Sequence, residues 1–524
     1  MRKFISIKLL SFSIIITTLF GCNDLDLVPL NSISEAVYYQ TEEDFDGAMY
    51  ASYSQLGQFW ETFMGSSRLS IQRIVLASDD DTFIQHPANT PYDRHEFQGV
   101  FESEQALQNL FAVIYKGIHR ANLVLKMLQQ EDLEINDQAR TRLEAEAKFL
   151  RGFFHFQAAK LWGNAPIVAE VIDDYESLAV ANSEPNALLD QVISDFEAAF
   201  NGLPTKSEWG DAKVGRATKW AAKAYAGKAN VWKKDWAAAN SAFQAVEASG
   251  AFKLMDNFGD VFAWDLQNND ESIFEVQSSS NSDDNFWVLD DNHPEHVKAS
   301  QGMLRPFHFD PSWRVAGNEV SCAAAQYVNE FYAATQELVG MFEPGDKRKA
   351  VTIYSEGDDY VGVGCNGSPM GELTYTKEWM HNGGSSGTNI KKYRGPRNAV
   401  AANHSLNGGV DFNNHRWFRY GGMLLLHAES LIQSGDTAGG LDIINNKIRA
   451  RAGLGPTTES SALKALMDER RRELAFEYHR MFDIQRWEIG AQVFDNWDSR
   501  LRYFPISQAD IDKSGGVLQQ STGW

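Results

Sequence analysis

Two glycine-containing strings in this sequence have the spacing of known cofactor and catalytic loops. Gly362-Val363-Gly364-Cys365-Asn366-Gly367 satisfies G-x-G-x-x-G, whose amides cradle a dinucleotide pyrophosphate when a strand turns into a helix there. Here the string runs into Ser368-Pro369 and opens no helix, so its amides would not converge on a phosphate. Gly383-Gly384-Ser385-Ser386-Gly387 satisfies G-x-S-x-G. A nucleophile elbow needs a buried strand before its serine, and Trp379-Met380-His381-Asn382 offers none, so a plain loop is the better reading.

The sequence contains no H-E-x-x-H, Walker A or C-x-x-C string. Carboxylates are plentiful, so counting alone leaves room for a glycosidase pair, which needs two carboxyl groups about 5–9 Å apart across a sugar. Acidic clusters at Asp79-Asp80-Asp81, Asp283-Asp284 and Asp290-Asp291 lack the spacing of an EF-hand loop and read as solvated loop charge. Neither a metal nor a cofactor is expected.

Charge narrows the partners. Lysine and arginine total 48 against 70 aspartates and glutamates, a formal charge of −22. Such a surface repels phosphate backbones, which argues against nucleic acid. The N-terminus has basic Arg2 and Lys3, then an apolar run from Phe4 to Phe20 ending in Leu19-Phe20-Gly21-Cys22. That is a signal-peptide pattern whose end resembles a lipobox, with Cys22 as the lipidated residue. We therefore expect a signal peptide over 1–21 and a tether over 22–33. No later stretch approaches the ~18 apolar residues that span a bilayer. The remaining cysteines, Cys322 and Cys365, are an even pair in an exported chain and permit one disulfide.

The elements that would position these residues are mostly helical. From residue 34 to about 277 the texture is that of helix and repeat: Leu143, Ala147, Leu150, Phe154 and Ala158 form a stripe at helical spacing. The stripe ends in the Gly163-Asn164-Ala165-Pro166 turn. Over 217–251, small Gly227 and Ala239 let two helices approach while Phe243 fills the gap, like a tetratricopeptide repeat. Ala428, Gly435-Asp436, Gly440 and Ile444 echo Gly227, Lys234-Asp235, Ala239 and Phe243 at one offset. Residues 278–415 are rich in Gly, Asn, Asp, Ser and Pro with interleaved aromatics, a loop-rich insertion with short strands. Helices return over 416–524, at 420–451 and 462–487. The expected fold is mainly α, a tetratricopeptide-like scaffold carrying a loop-rich region.

Landmarks over nearly the whole mature chain carry a family resemblance. After Cys22 comes Asp24-Leu25-Asp26-Leu27-Val28-Pro29, then Arg120-Ala121-Asn122 and Glu144-Ala145-Glu146-Ala147-Lys148-Phe149-Leu150-Arg151 leading to Leu161-Trp162-Gly163-Asn164-Ala165-Pro166. Gly215-Arg216-Ala217-Thr218 opens the repeat, and Glu337-Leu338-Val339 precedes Gly345-Asp346-Lys347-Arg348. Asp468-Glu469-Arg470-Arg471-Arg472-Glu473-Leu474-Ala475-Phe476-Glu477, His479-Arg480, Phe482-Asp483 and Arg486-Trp487 follow, with Pro505-Ile506 and Gly523-Trp524 at the end. In order and coverage this resembles the SusD/RagB family.

The resemblance implies a lipid-anchored, outer-membrane, surface-exposed protein. It would bind a glycan and deliver it to a TonB-dependent, SusC-like transporter, without catalysis. A surface glycoside hydrolase, or a carrier of peptides or another nutrient on the same scaffold, are the alternatives. A pyranose ring stacks its apolar face on an aromatic ring while amides, carboxylates and guanidinium groups take its hydroxyls. Aromatics in polar loops are therefore the candidates: Trp287 beside Asn285, Trp313, Tyr360 and Trp379, with Asp80, Tyr92 and Arg94 from the loop at 78–97. Trp232, Trp236, Trp264 and Trp487 fall in helical or repeat patterns and read as core. The arginines and glutamates of 468–487, and Arg151, read as ion pairs that fix helix register rather than ligand contacts.

Overall fold

The structure, a computed structural model, describes residues 38–60, 63–64, 67–68, 75, 79–84, 105–173, 179–277, 332–363, 369–374, 387–392 and 413–524. Cys22, Tyr92, Arg94, Asn285, Trp287, Trp313, Cys322, Cys365 and Trp379 lie outside the described residues, as do the acidic clusters at 283–284 and 290–291.

The helix Asp137–Trp162 is the spine. The Asn136 side chain accepts the Ala139 N–H and caps its start, and it ends at Gly163. The expected stripe is fully buried, and burial extends around the helix: from Gly152 to Trp162 every residue is buried. The reason is that neighbours cover it on several sides, since Gln105–Met127, Ala187–Gly202 and Glu42–Trp60 all pack against it. Phe149, Phe153 and Phe154 interlock with Phe196, Tyr225, Phe274 and Trp417. Each such ring removed from water contributes about 2–3 kcal/mol.

The first repeat is the pair Lys219–Lys233 and Trp236–Ser249, with Lys234 left-handed at φ 63° and Asp235 capping the second helix through the Ala238 N–H. The second pair, Tyr420–Gln433 and Thr437–Asp442, repeats the joint: Gly435 has φ 94° and Asp436 caps through the Gly439 N–H. The second helix then widens into π-helix over Ile443–Arg449. A methyl on Gly227 would lie 2.6 Å from the Phe243 ring, and one on Gly440 2.5 Å from Ile432 and 2.8 Å from the Ala428 carbonyl oxygen. The small residues read from the repeat pattern are thus points of interhelical contact. Trp232 and Trp236 are partly buried against the core, in line with that pattern.

One expectation needs correction. Residues 468–487 are not one helix: Ala462–Leu474 stops, Phe476 and Tyr478 take positive φ of 60° and 63°, and Arg480–Trp487 begins anew. Neither residue is glycine or asparagine, so nothing in the local composition signals the break.

The strands are short. Ser272–Val276 pairs antiparallel with His415–Arg419, with Val276 facing His415 and Ser272 facing Arg419, and all ten residues are buried. Thr82–Ile84 pairs with Tyr332–Ala334, Ile353–Ser355 with Thr388–Ile390, and Asp359–Val363 with Pro369–Thr374. No helix among the described residues is long and apolar enough to cross a membrane.

Candidate functional site

The described part of the candidate site is the base from which the loop segments depart. Ile84 and Tyr332 face each other in the pair 82–84 with 332–334. The chain therefore leaves toward 85–104 and arrives from 278–331 at one point. Thr388 Oγ1 donates to the Ala334 carbonyl oxygen at 2.8 Å, which sets the end of the 375–386 segment beside the same strand. Tyr360 lies in a separate ribbon, 359–363 with 369–374, opposite Leu373.

Asp79, Asp80 and Asp81 hold this base in place, and they are 2 %, 3 % and 1 % exposed. The reading of this cluster as solvated loop charge is therefore corrected. Asp79 Oδ1 accepts the amides of Asp81 and Thr82 at 3.0 and 2.9 Å, turning the chain into the strand. The Thr335 amide donates to the Asp81 carbonyl oxygen at 2.9 Å, tying the start of one strand to the end of the other. Asp80 receives Arg480 through two bonds, Nε to Oδ1 at 2.6 Å and Nη2 to Oδ2 at 2.7 Å, with Arg471 Nη2 at 3.0 Å. Arg471 also bonds Asp81 and, at 2.6 Å, the exposed Glu337.

Burial raises the Asp80 carboxyl, but Arg480 and Arg471 outweigh it and hold the group below the ordinary carboxylate value. Burial pushes Asp81 up to about 6 despite Arg471, and burial with the two neighbouring carboxylates pushes Asp79 well above its ordinary value. Burial thus favours the neutral form of Asp79, while Asp80 and Asp81 face the guanidiniums of Arg480 and Arg471. Buried charge is tolerated only when matched in this way. The carboxylate of Asp80 is thus committed to Arg480 and Arg471 at the root of the loop.

A second buried network fixes the other roots. Glu473 meets Arg348 at 3.1 Å, Arg419 at 2.8 Å and also Arg451. Arg348 in turn holds Asp346 and Glu469, and Arg419 holds Glu271 and Glu477. Lys392 Nζ donates to Glu477 Oε1 at 2.8 Å and to the carbonyl oxygens of Glu473 and Ala475 at 3.2 and 2.9 Å, pinning the chain where it enters 393–412. Burial raises Glu473, yet Arg451, Arg419 and Arg348 drive it far below the ordinary value.

The reading of these charges as register-fixing pairs holds for Arg470 with Asp483, Arg486 with Glu429 and Arg151 with Asp195. Sequence reasoning missed that Arg471 and Arg480 reach back to the aspartates at 80 and 81. Trp487 is partly buried with its Nε1 on Glu429 at 2.8 Å. Among the described residues no group of three or more His, Cys, Asp or Glu side chains is arranged to hold a metal ion.

Comparison with known proteins agrees with this architecture. The family model described as "SusD family" matches residues 231–502, and one described as "Starch-binding associating with outer membrane" matches 73–230. SusD-like protein P25 of Formosa agariphila is 25 % identical over 520 residues, covering 94 % of this chain and 92 % of that protein. A SusD-like protein of Bacteroides ovatus is 24 % identical over 513 residues, covering 93 % and 83 %. Among solved structures, a laminarin-binding SusD-like protein superposes with a TM-score of 0.74 at 21 % identity, covering 93 % of this chain and all of that one. Surface glycan-binding protein A of Bacteroides thetaiotaomicron, in complex with laminarihexaose, gives 0.72 at 20 %, covering 92 % and 100 %. At these identities the superpositions establish the fold.

Proposed function

The chain belongs to the SusD family, and from that premise we propose that it is a surface lipoprotein that binds an oligo- or polysaccharide and passes it unaltered to a TonB-dependent transporter. One observation carries this reading: the roots of the segments bearing Tyr92 and Arg94, Asn285, Trp287 and Trp313, and Trp379 meet at the strand pair 82–84 with 332–334. Loop residues on a rigid base are where ligand contacts concentrate. In this reading the indoles of Trp287, Trp313 and Trp379 and the ring of Tyr360 offer stacking faces. Arg94 and Asn285 take hydroxyls, and Asp80 acts by holding the loop root. Similar structures whose names specify laminarin and laminarihexaose make β-glucans the first probes.

Anchoring would be through lipid on Cys22, and the neighbouring family model's description, with its outer-membrane association, supports that address. Capture raises the local concentration of ligand, and closure over a transporter commits it to the pore. No bond in the glycan is broken.

The test is affinity electrophoresis of the purified chain in detergent against plant, algal and fungal polysaccharides. It is repeated for Trp287→Ala, Trp313→Ala and Trp379→Ala, with a reducing-end assay alongside. We expect one glycan to retard the protein, at least one substitution to abolish retardation in a folded chain, and no new reducing ends. Retention of peptides but no glycan would redirect the reading to another nutrient. New reducing ends would turn it to hydrolysis.

A further inference from the structure

Away from the loop roots, a cleft of about 310 Å³ opens where the end of the 137–162 helix meets the starts and ends of three others. Its walls carry Lys160, Lys233, Lys234, Arg486 and Arg502, and among the described residues no aspartate or glutamate lines it. In a chain whose acidic residues outnumber its basic ones 70 to 48, that is a reversal of local charge.

The polar groups at its floor are not satisfied by the protein. Lys160 is 6 % exposed, and its ammonium lies 4.3 Å over the Phe482 ring and 5.5 Å over Phe156. No carboxylate or carbonyl among the described residues accepts from it. Gln485, 4 % exposed, spends its Nε2 on the Lys160 carbonyl oxygen at 2.8 Å, while its Oε1 is buried without a donor. The Trp232 indole N–H is likewise buried without an acceptor. A buried donor or acceptor left unmade is costly, so these two, beside an ammonium that has only ring faces for company, call for a ligand that completes them.

The rim cations do have partners, but weak ones. Lys233 pairs with Asp190, and Lys234 and Arg502 with Glu488, all half-exposed to solvent. Exposed pairs of this kind contribute little and can be exchanged. Arg486 is held from behind by Glu429 and Asp483 and shapes the wall. Asn164, Asn186 and Tyr503 add amides and a hydroxyl.

We propose that this cleft is a second binding site, for a small polyhydroxylated carboxylate the size of one acidic sugar, with the carboxylate on Lys160 and the hydroxyls on the amide-lined wall. A volume of about 310 Å³ sits at the lower end of small-molecule sites. Burial pulls Lys160 down to about 7 when the cleft is empty, and a bound anion restores the charged form. The site is independent of the loop candidates and of the glycan reading.

Calorimetry of the full chain in detergent with glucuronate, glucose and sulfate tests it. Glucuronate should bind and glucose should not, sulfate should bind more weakly than glucuronate, and Lys160→Met should weaken glucuronate about tenfold or more. Lys234→Glu, with its side chain exposed at the repeat joint and a non-glycine residue kept at φ 63°, should weaken it severalfold, and decides the matter if Lys160→Met does not fold. Undetectable glucuronate binding, equal binding of glucose or sulfate, or an affinity unchanged in both variants would each overturn the proposal.

Discussion

Asp80 and Arg480, 400 positions apart in sequence, form a two-pronged buried ion pair with both bonds at 2.6–2.7 Å. The pair ties the second half of the last long arginine-rich stretch to the root of the first loop. Replacing Arg480 by alanine leaves Asp80 with Arg471 alone in a site that excludes water. We expect a loss of about 3 kcal/mol in unfolding free energy, read from denaturant midpoints. A change below about 1 kcal/mol would mean that the pair is solvated in solution.

Gly227 and Gly440 separate two kinds of close contact. A methyl on Gly227 meets a phenyl ring, which can shift, whereas one on Gly440 also meets the Ala428 carbonyl oxygen, which cannot move without the helix. Gly440→Ala should therefore destabilise more than Gly227→Ala, with both in the range of about 1–3 kcal/mol. Gly455→Ala, which meets nothing within 4 Å, is the neutral control. Thermal melts of the three variants give the order directly.

Glu473 should dominate the acid limb of stability. Its pKa in the folded chain is depressed, so its contribution is complete above the unfolded value near 4.5 and is lost as pH falls below it. Glu473→Gln removes the charge that Arg348, Arg419 and Arg451 share, at a cost of about 3–5 kcal/mol at pH 7. The variant should also show a flatter loss of stability below pH 4.5. An acid limb identical to the wild type's would place the titration elsewhere.

Lys160 works in the opposite sense. Its pKa falls from 10.5 to about 7 on burial, so between those values the unfolded chain holds the extra proton and stability rises with pH, by about 1.4 kcal/mol per unit at most. Lys160→Met should remove that slope. The gap between variant and wild type, largest at pH 7, should close toward pH 10. Denaturant midpoints at pH 7, 8.5 and 10 check this, and a gap independent of pH would count against a desolvated ammonium.

How much of this was legible in the residues depends on distance along the chain. The repeat joints at Lys234-Asp235 and Gly435-Asp436 could be read because caps, left-handed turns and small-to-aromatic contacts are local patterns. The 137–162 helix was likewise visible in its stripe, although a stripe does not reveal how many neighbours will cover the remaining faces. The break at Phe476 and Tyr478 was invisible, since it is imposed by Lys392 and Arg419 binding the backbone of Glu473 and Ala475. The burial of Asp79, Asp80 and Asp81 was invisible for the same reason. Three consecutive aspartates read as surface until two arginines some 390–400 residues later are known to face them. Of the candidate site, the strand-paired roots depend on contacts between residues some 250 positions apart, whereas stacking aromatics in polar loops are chosen by composition alone.

The pairing of Val276 with His415 has a bearing on how such proteins diversify. The stretch between those two residues leaves the sheet and rejoins it at directly facing positions, and it touches the helical scaffold in between at the strand 332–334 and at Leu338, Phe342, Ile353 and Ile390, so it behaves as a cassette with defined docking points. Exchanging it with the equivalent stretch of a relative should transplant ligand preference while leaving the repeat helices undisturbed. The graft has one condition: Asp346, Arg348 and Lys392 must travel with it or be matched by the donor. Arg348 and Lys392 are the plugs that fit the sockets at Glu469, Glu473 and Glu477, with Asp346 holding Arg348 in place, and a cassette without them would leave the recipient's glutamates buried and short of countercharge.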